Sequence, residues 1–391
     1  MPFVLYLLAL AVFAQGTSEF MLSGLVADIA DDLHVSIPAA GSLTTAFAAG
    51  MIIGAPLMAM LSLRWPRRRA LLVFLTAFLL VHVLGAVTTS FGVLLATRVV
   101  GALANAGFLA VGLATATALV EPNAKGRATS VLLGGVTLAC VAGVPAGALL
   151  GQVWGWRAAF WAVAIISVPA LLAILRSVPG GAADPAAPSA RRELRALRSP
   201  RLLVTLLLGT LVNGATFCTF TYLGPLVTGV SGFGTGWVPV LLALFGLGSF
   251  LGVTLGGRLA DAHPGRLLVI GGVALLLGWV LFALTAGNPV ATLVLVLVQG
   301  ALSFGVGSTL ISQALYAAPG APTLGGGFAT AAFNVGAALG PTLGGVAIGA
   351  ALGYRSALWV SALLVALALV LAGAARLFAV GKAPSAALPR R

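Results

Sequence analysis

Apolar stretches of about 20 residues recur from one end of the chain to the other, broken by short polar or basic segments. Each is long enough to cross a hydrocarbon core of ~30 Å as a helix. In lipid the backbone polar groups must be satisfied within the segment, so helix is the predicted state of all of them. The pattern predicts twelve spans, at roughly 3–27, 39–63, 70–89, 92–120, 128–152, 157–176, 202–226, 237–260, 267–287, 290–316, 325–351 and 356–376. The first apolar run is too long for a signal peptide and lacks a basic leader and a cleavage site, so it is read as a retained helix.

Composition removes the soluble alternatives. Hydrophobic residues make up 60% of the 391 and charged residues 7%, against roughly 25% charged in a soluble domain. Such a chain has too few charges to cover a folded surface in water. The net charge of +13 would suit nucleic acid, but the basic residues sit in short clusters between spans, as the positive-inside rule expects. No nucleic-acid partner is predicted; the bilayer is the partner. Cys140 and Cys218 both lie in apolar runs and read as small buried hydrophobes, without disulfide or metal-ligand spacing.

With both termini cytoplasmic, the inner loops hold nearly all the cations, including Arg64, Arg67, Arg68 and Arg69 and the cluster from Arg191 to Arg201. The outer loops hold only Arg157 and Arg355, and Arg98 falls within a span. The longest inner loop, 177–200, is rich in Pro, Gly and Ala and then basic. It reads either as a flexible linker or as one carrying a short helix on the anionic lipid surface. The predicted organisation is a six-helix bundle at 1–176, a linker at 177–200, a second six-helix bundle at 201–376 and a cytoplasmic tail at 377–391.

The two halves match at one ungapped offset of 198 residues. "GWRAAFW" at 155–161 falls on "GYRSALW" at 353–359; Gly50 and Gly54 fall on Gly248 and Gly252; Gly107 falls on Gly305; Gly147 and Gly151 fall on Gly345 and Gly349; Arg68 falls on Arg266. Six helices per half give both halves the same orientation. Parallel six-helix repeats define a major transporter architecture, with the substrate site near the midplane between the halves.

Three further motifs bear on identity. The loop "AMLSLRWPRRR" matches Gly-x-Leu-x-Asp-Arg-x-Gly-Arg-Arg at Arg64, Arg67 and Arg68, with Leu63 in the Asp position; its repeat copy "GRLADAHPGR" keeps Gly257, Leu259 and Asp261. The fifth span contains "GVPAGALLG", with Gly143, Gly147 and Gly151 at four-residue spacing around Pro145. Small residues on one face let a neighbouring helix pack closely. The fourth span carries Arg98 in "LLATRVVGALANAG". With these motifs the chain resembles the major facilitator superfamily along its whole length, and within it the drug:proton antiporter branch. "GTSEFM", "ALANAGFLAV" and "QGALSFGVGSTL" look most similar to the actinobacterial chloramphenicol exporters. The resemblance implies an all-α membrane fold of two pseudo-symmetric six-helix bundles. It also implies that the inner-loop motifs, with Arg157 and Arg355 of the "GWR" and "GYR" pair, latch or hinge the halves. Leu63 in place of the Asp implies a weaker latch in the first half.

Eight acids are present: Glu19, Asp28, Asp31, Asp32, Glu121, Asp184, Glu193 and Asp261. Of these, Glu19 alone falls well inside a span. Holding an ionised acid at the bilayer centre costs about 2.5–3.5 kcal/mol, so such a group faces a cavity, pairs, or carries its proton part of the time. Glu19 shares a helix face with Gln15, Gly16 and Ser23. Helix rise places it about 24 Å from the inner end of its span, and Arg98 about 10 Å from the outer surface. Desolvation and Arg98 act in opposite senses on its ionisation. Two readings follow: Glu19 is the proton-coupling acid, or Glu19 and Arg98 are a fixed structural pair. Asp28 is either a relay for that proton or an interfacial capping residue. His82 reads as a partner to a neighbouring helix.

The expected cavity is largely uncharged. Gln15 and Asn105 in the first half, with Asn213, Phe217, Phe220, Gln299, Ser303 and Asn334 in the second, suit a small amphipathic molecule with an aromatic ring. The predicted function is proton-coupled efflux of chloramphenicol or similar drugs by a monomer in the bacterial cytoplasmic membrane, driven by the proton gradient without metal or cofactor. One membrane acid predicts about one proton per cycle. An exporter of a sugar or other endogenous metabolite is the alternative and would need a more polar cavity. A membrane enzyme would need paired catalytic groups or metal ligands, and a sensor would usually add a soluble output domain.

Overall fold

The computed structural model describes residues 2–62, 65–121, 125–178, 194–262, 264–318 and 324–380. Arg64, residues 179–193 of the linker and 381–391 of the tail lie outside the described residues, as do the surroundings of Gly257 and the side chain of Asp261. The described chain is all-helical. In order the helices are α1 (Phe3–Phe20), α2 (Val26–Asp32), α3 (Ile37–Ser62), α4 (Arg67–Val87), α5 (Phe91–Ala118), α6 (Lys125–Leu138), α7 (Val144–Trp154), α8 (Trp156–Ser177), α9 (Pro200–Thr221), α10 (Leu223–Gly229), α11 (Val238–Ala262), α12 (Pro264–Thr285), α13 (Pro289–Ala317), α14 (Leu324–Ala347) and α15 (Ser356–Val380). Among the described residues twelve segments are long and apolar enough to span a membrane, one of them running through α6 and α7. Leu80, Leu84, Leu277, Leu281 and Leu363 stand exposed along them, as side chains facing lipid do.

Three spans are less regular than the hydropathy pattern predicts, each for a local reason. The first span leaves α-geometry at Phe20 and continues as a 3₁₀ turn, Met21–Gly24. There the Ser23 hydroxyl donates to the Phe20 carbonyl at 2.9 Å, a side-chain bond that competes with the helical ladder. The seventh stops at Thr221 and restarts as α10; Pro225 has no N–H to return to the Thr221 carbonyl. In the fifth, Pro145 likewise cannot bond to Val141. The chain absorbs this as a π turn, Ala139–Gly143, with the Val144 N–H donating to Ala139 O. Of the linker, Leu194–Arg198 forms a 3₁₀ helix.

The repeat is visible in the packing. A Cβ on Gly50 would lie 2.8 Å from the Val99 carbonyl of α5, and one on Gly54 3.1 Å from the Leu103 side chain. Their counterparts Gly248 and Gly252 press on the Leu297 and Ala301 carbonyls of α13. Gly155 and Gly353 both take left-handed φ, 81° and 73°, where a side chain would be strained. Each turns the chain into the last span of its half.

One hydrophobic core is built from α1, α4, α5 and α8, another from α9, α11, α12, α13 and α15. Two seams join the halves. Along α3 and α14, the Thr45 hydroxyl lies 3.2 Å from Ala338 O and 3.1 Å from the Thr342 hydroxyl. Along the fifth span and α11, Gly246 sits against the Cys140 carbonyl of the π turn. Tyr222 is wedged between Gly41 on one side and Gly344 and Gly345 on the other, its hydroxyl donating to Pro341 O at 2.9 Å.

Candidate proton and substrate site

Three consecutive residues near the end of α1 face three different neighbours. Ser18, fully buried, meets α4 and α5. Glu19 is half-buried, with Arg98 and Asn105 of α5 the groups in electrostatic reach of its carboxylate. Phe20 meets Phe217 of α9, ring centroids 5.6 Å apart. A helix turns 100° per residue, so one short stretch presents a hydroxyl, an acid and an aromatic ring in three directions.

Arg98 does not pair directly with Glu19. Among the described residues the ion pair within 4 Å is Arg157–Asp32. Arg98 instead donates from Nη1 to the Ser18 hydroxyl oxygen and from Nη2 to the Ser18 carbonyl, both at 2.8 Å. Its guanidinium lies 4.4 Å from the centre of the Phe47 ring. The hydrogen bonds define the state of His82: with Phe78 O 2.7 Å from Nδ1, Nδ1 carries the proton. Nε2 is then free to accept from the Ser18 hydroxyl at 2.6 Å. The chain of donors runs Arg98 to Ser18 to His82 to the Phe78 carbonyl, with every residue in it 2% exposed or less. His82 is thus the helix-to-helix partner that its position in the sequence predicted; its link to Arg98 through Ser18 was not legible there.

Across from α1 lies a row of rings. Phe217 and Phe220 are 5.9 Å apart, Phe220 and Phe245 4.7 Å, and Phe245 and Phe304 6.2 Å. Sequence reasoning named two members of this row and missed Phe20, Phe245 and Phe304. Phe20 and Phe304 each follow a residue that was singled out, Glu19 and Ser303. Ser303 and Asn105 are buried, with Ser303 Oγ and Asn105 Oδ1 lacking a protein partner; the Asn105 amide nitrogen lies 3.6 Å from the Met51 sulfur. Gln15 is buried with both amide atoms unpartnered in protein. Asn213 donates to Phe333 O at 2.7 Å and Asn334 to Thr330 O at 3.0 Å. The Gln299 amide donates to Leu275 O at 3.3 Å and lies against Gly278 of α12, with its Oε1 lacking a protein partner.

The motif residues occupy the seams and ends. Gly143, Gly147 and Gly151 face Thr17, Met21 and Leu25, stepping by four along both strands of the contact. The fifth span therefore packs on the first along the stretch that carries Glu19. Pro145 shapes the π turn above. Arg68 donates to Leu175 O near the end of α8, where a helix C-terminus favours a cation. Arg67 is half-buried and Arg266 exposed. Arg355 is exposed and reaches Gly287. Asp28 is exposed in the first turn of α2, with a carboxyl oxygen near Gly151. Partial desolvation there, then the charge of Asp31, raises its carboxyl above the ordinary range.

Arg157 donates to Asp32 at 2.7 Å and to Thr88 O at 3.1 Å, and lies over Trp156, whose indole N–H donates to Asp32 at 3.2 Å. The Arg157 hydrogen bond leads in holding the Asp32 carboxyl below its usual value. A lowered folded value stabilises above the unfolded value near 3.9, and the contribution is lost as pH falls through the folded one. Asp32 is 44% exposed, so screening limits the effect to below about 1 kcal/mol. Asp32→Asn is expected to lower the melting temperature slightly at neutral pH, and the difference from wild type to vanish in acid. Melting curves across pH check this.

Twelve helices long and apolar enough to span a membrane among the described residues, two seams between repeat-related halves and Glu19 inside a span are the features of a membrane transporter. The chain belongs to the major facilitator superfamily: the sequence pattern of that family matches residues 8–320 and 228–390. It is 58% identical over 375 residues to a chloramphenicol resistance protein of Streptomyces lividans, covering 95% of this chain and 96% of that one. It is 36% identical to the inner membrane transport protein YdhP of Escherichia coli K12, covering 93% of each. The fold matches the inward-facing, unoccupied crystal structure of a bacterial homologue of the human lysosomal transporter Spinster, with a TM-score of 0.75, 18% identity and 98% of each chain covered.

Proposed function

We propose that this transporter exports chloramphenicol or similar small amphipathic drugs in exchange for protons across the bacterial cytoplasmic membrane, with both termini inside. The observation that carries the reading is the pairing on α1 of an acid, Glu19, with a ring, Phe20, that joins the aromatic row of the second half. An aromatic, uncharged drug suits that row, with Ser303 and Asn105 offering unpartnered polar atoms at buried positions. The near full-length similarity to a chloramphenicol resistance protein supplies the drug class.

In this mechanism the halves 1–176 and 201–376 rock about the α3–α14 and α7–α11 seams, tethered by 177–200. Glu19 takes up a proton when the site opens outward, with Asp28 on the route, and releases it when the site opens inward. Drug occupancy against Phe20 and the charge state of Glu19 are coupled because both sit on one turn of α1. The proton gradient is the sole energy source and one subunit suffices.

The test is chloramphenicol accumulation in inside-out vesicles with an imposed pH gradient. Accumulation above vesicles lacking the protein, abolished by a protonophore, is expected. No accumulation would remove the drug assignment and direct the search to endogenous metabolites.

A further inference from the structure

The second half contains a cavity of about 990 Å³ that is separate from the aromatic row. It lies between α9, α12, α13 and α15 and opens at the arginine-rich end, where Arg201 and Arg376 form its mouth. Its deepest lining residues include Val212 and Val365. Each lies eleven residues from the arginine of its own helix, a depth of about 16 Å. That is about half of a ~30 Å hydrocarbon core, or one leaflet.

Three lining positions are smaller than their counterparts in the first half. At the offset of 198, Phe74, Phe108 and Ile174 correspond to Gly272, Val306 and Ala372. The first three side chains are buried in the first-half core, with the Phe74 ring packed on Gly107. Their smaller counterparts all line the cavity. At these three positions the second bundle has the smaller side chain, although elsewhere in the lining Leu268, Leu310 and Gln313 are larger than their counterparts Ala70, Gly112 and Thr115.

The walls are apolar and the rim is cationic. Arg195, Arg198, Arg201, Arg266 and Arg376 lie at this end, and the sequence beyond Glu193 holds one acid, Asp261. Both α9 and α12 begin here while α13 and α15 end here, so the helix dipoles offset and the positive charge at the rim is that of the arginines. Basic pockets between spanning helices at the membrane surface suit anionic headgroups. We propose that this cavity is a binding site for one anionic phospholipid of the adjoining leaflet, its chains in the slot and its phosphate between Arg201 and Arg376.

The test uses the full chain, stripped of lipid in an uncharged detergent and titrated with short-chain phosphatidylglycerol while thermal unfolding is followed. Saturable stabilisation is expected from phosphatidylglycerol, and none from phosphatidylcholine of the same chain length or from inorganic phosphate. The double variant Arg201→Gln/Arg376→Gln should weaken the apparent affinity by about tenfold or more through lost charge-assisted bonds. Val306→Phe, which copies the first half, should do so by filling the slot. The two variants act on opposite ends, so either decides if the other fails to fold. Equal stabilisation in wild type and variants, or by phosphatidylcholine or phosphate, overturns the proposal.

Discussion

Glu19→Gln is expected to reduce gradient-driven chloramphenicol accumulation in inside-out vesicles to the level of vesicles without the protein. Glutamine keeps the size and hydrogen-bonding capacity of the neutral acid and removes the exchangeable proton. The protein should therefore still fold, bind drug and perform drug-for-drug exchange, because exchange needs the rocking motion and no net proton movement. What is lost is the link between the two gradients. Reduced accumulation together with reduced exchange would mean that the substitution damaged the site generally. Accumulation equal to wild type would return Glu19 to a structural role and move the search to Asp28 and His82. The setting of Glu19 matters here: it is half-buried and makes no ion pair within 4 Å among the described residues, while Arg98 donates to Ser18.

The fold was legible because lipid leaves the backbone few options. Apolar length alone locates the twelve spans, and the offset of 198 residues pairs Gly50 with Gly248 and Gly155 with Gly353 in the sequence itself. The irregularities were less legible. Pro145 and Pro225 are visible as residues, but whether a helix answers with a π turn or a break depends on what packs beside it. At the π turn that neighbour is Gly246 of the other half. In the site, rare residues stood out against an apolar background, which is why Glu19, Arg98 and Phe217 could be named. Their partners could not, since Ser18, Phe245 and Phe304 are ordinary residues in a span until tertiary contact gives them a role. Gln299 shows the converse: a rare amide whose helix face turns it toward α12.

Arg98→Lys is expected to lower the transport efficiency by at least about tenfold, although the charge is kept. The guanidinium uses two nitrogens at once, on the hydroxyl and carbonyl of Ser18, while its face covers Phe47. A lysine ammonium is a compact point charge and cannot reproduce the fork and the stacking together. Losing one hydrogen bond from a charged group costs about 1.5–3 kcal/mol, which corresponds to roughly ten- to a hundredfold. The network gives a graded series. His82→Gln retains an acceptor for the Ser18 hydroxyl and should be mild; His82→Leu and Ser18→Ala each break the chain and should be more severe. Combined, the last two should cost less than the sum of their separate effects, because they remove the same contact. Uptake measured against drug concentration at several pH values separates the roles. If the network positions Arg98 for coupling, the pH profile of uptake shifts along the series while drug affinity holds. If only melting temperature falls and uptake per folded molecule keeps its wild-type profile, Ser18, His82 and Arg98 are scaffold, and Glu19 works without them.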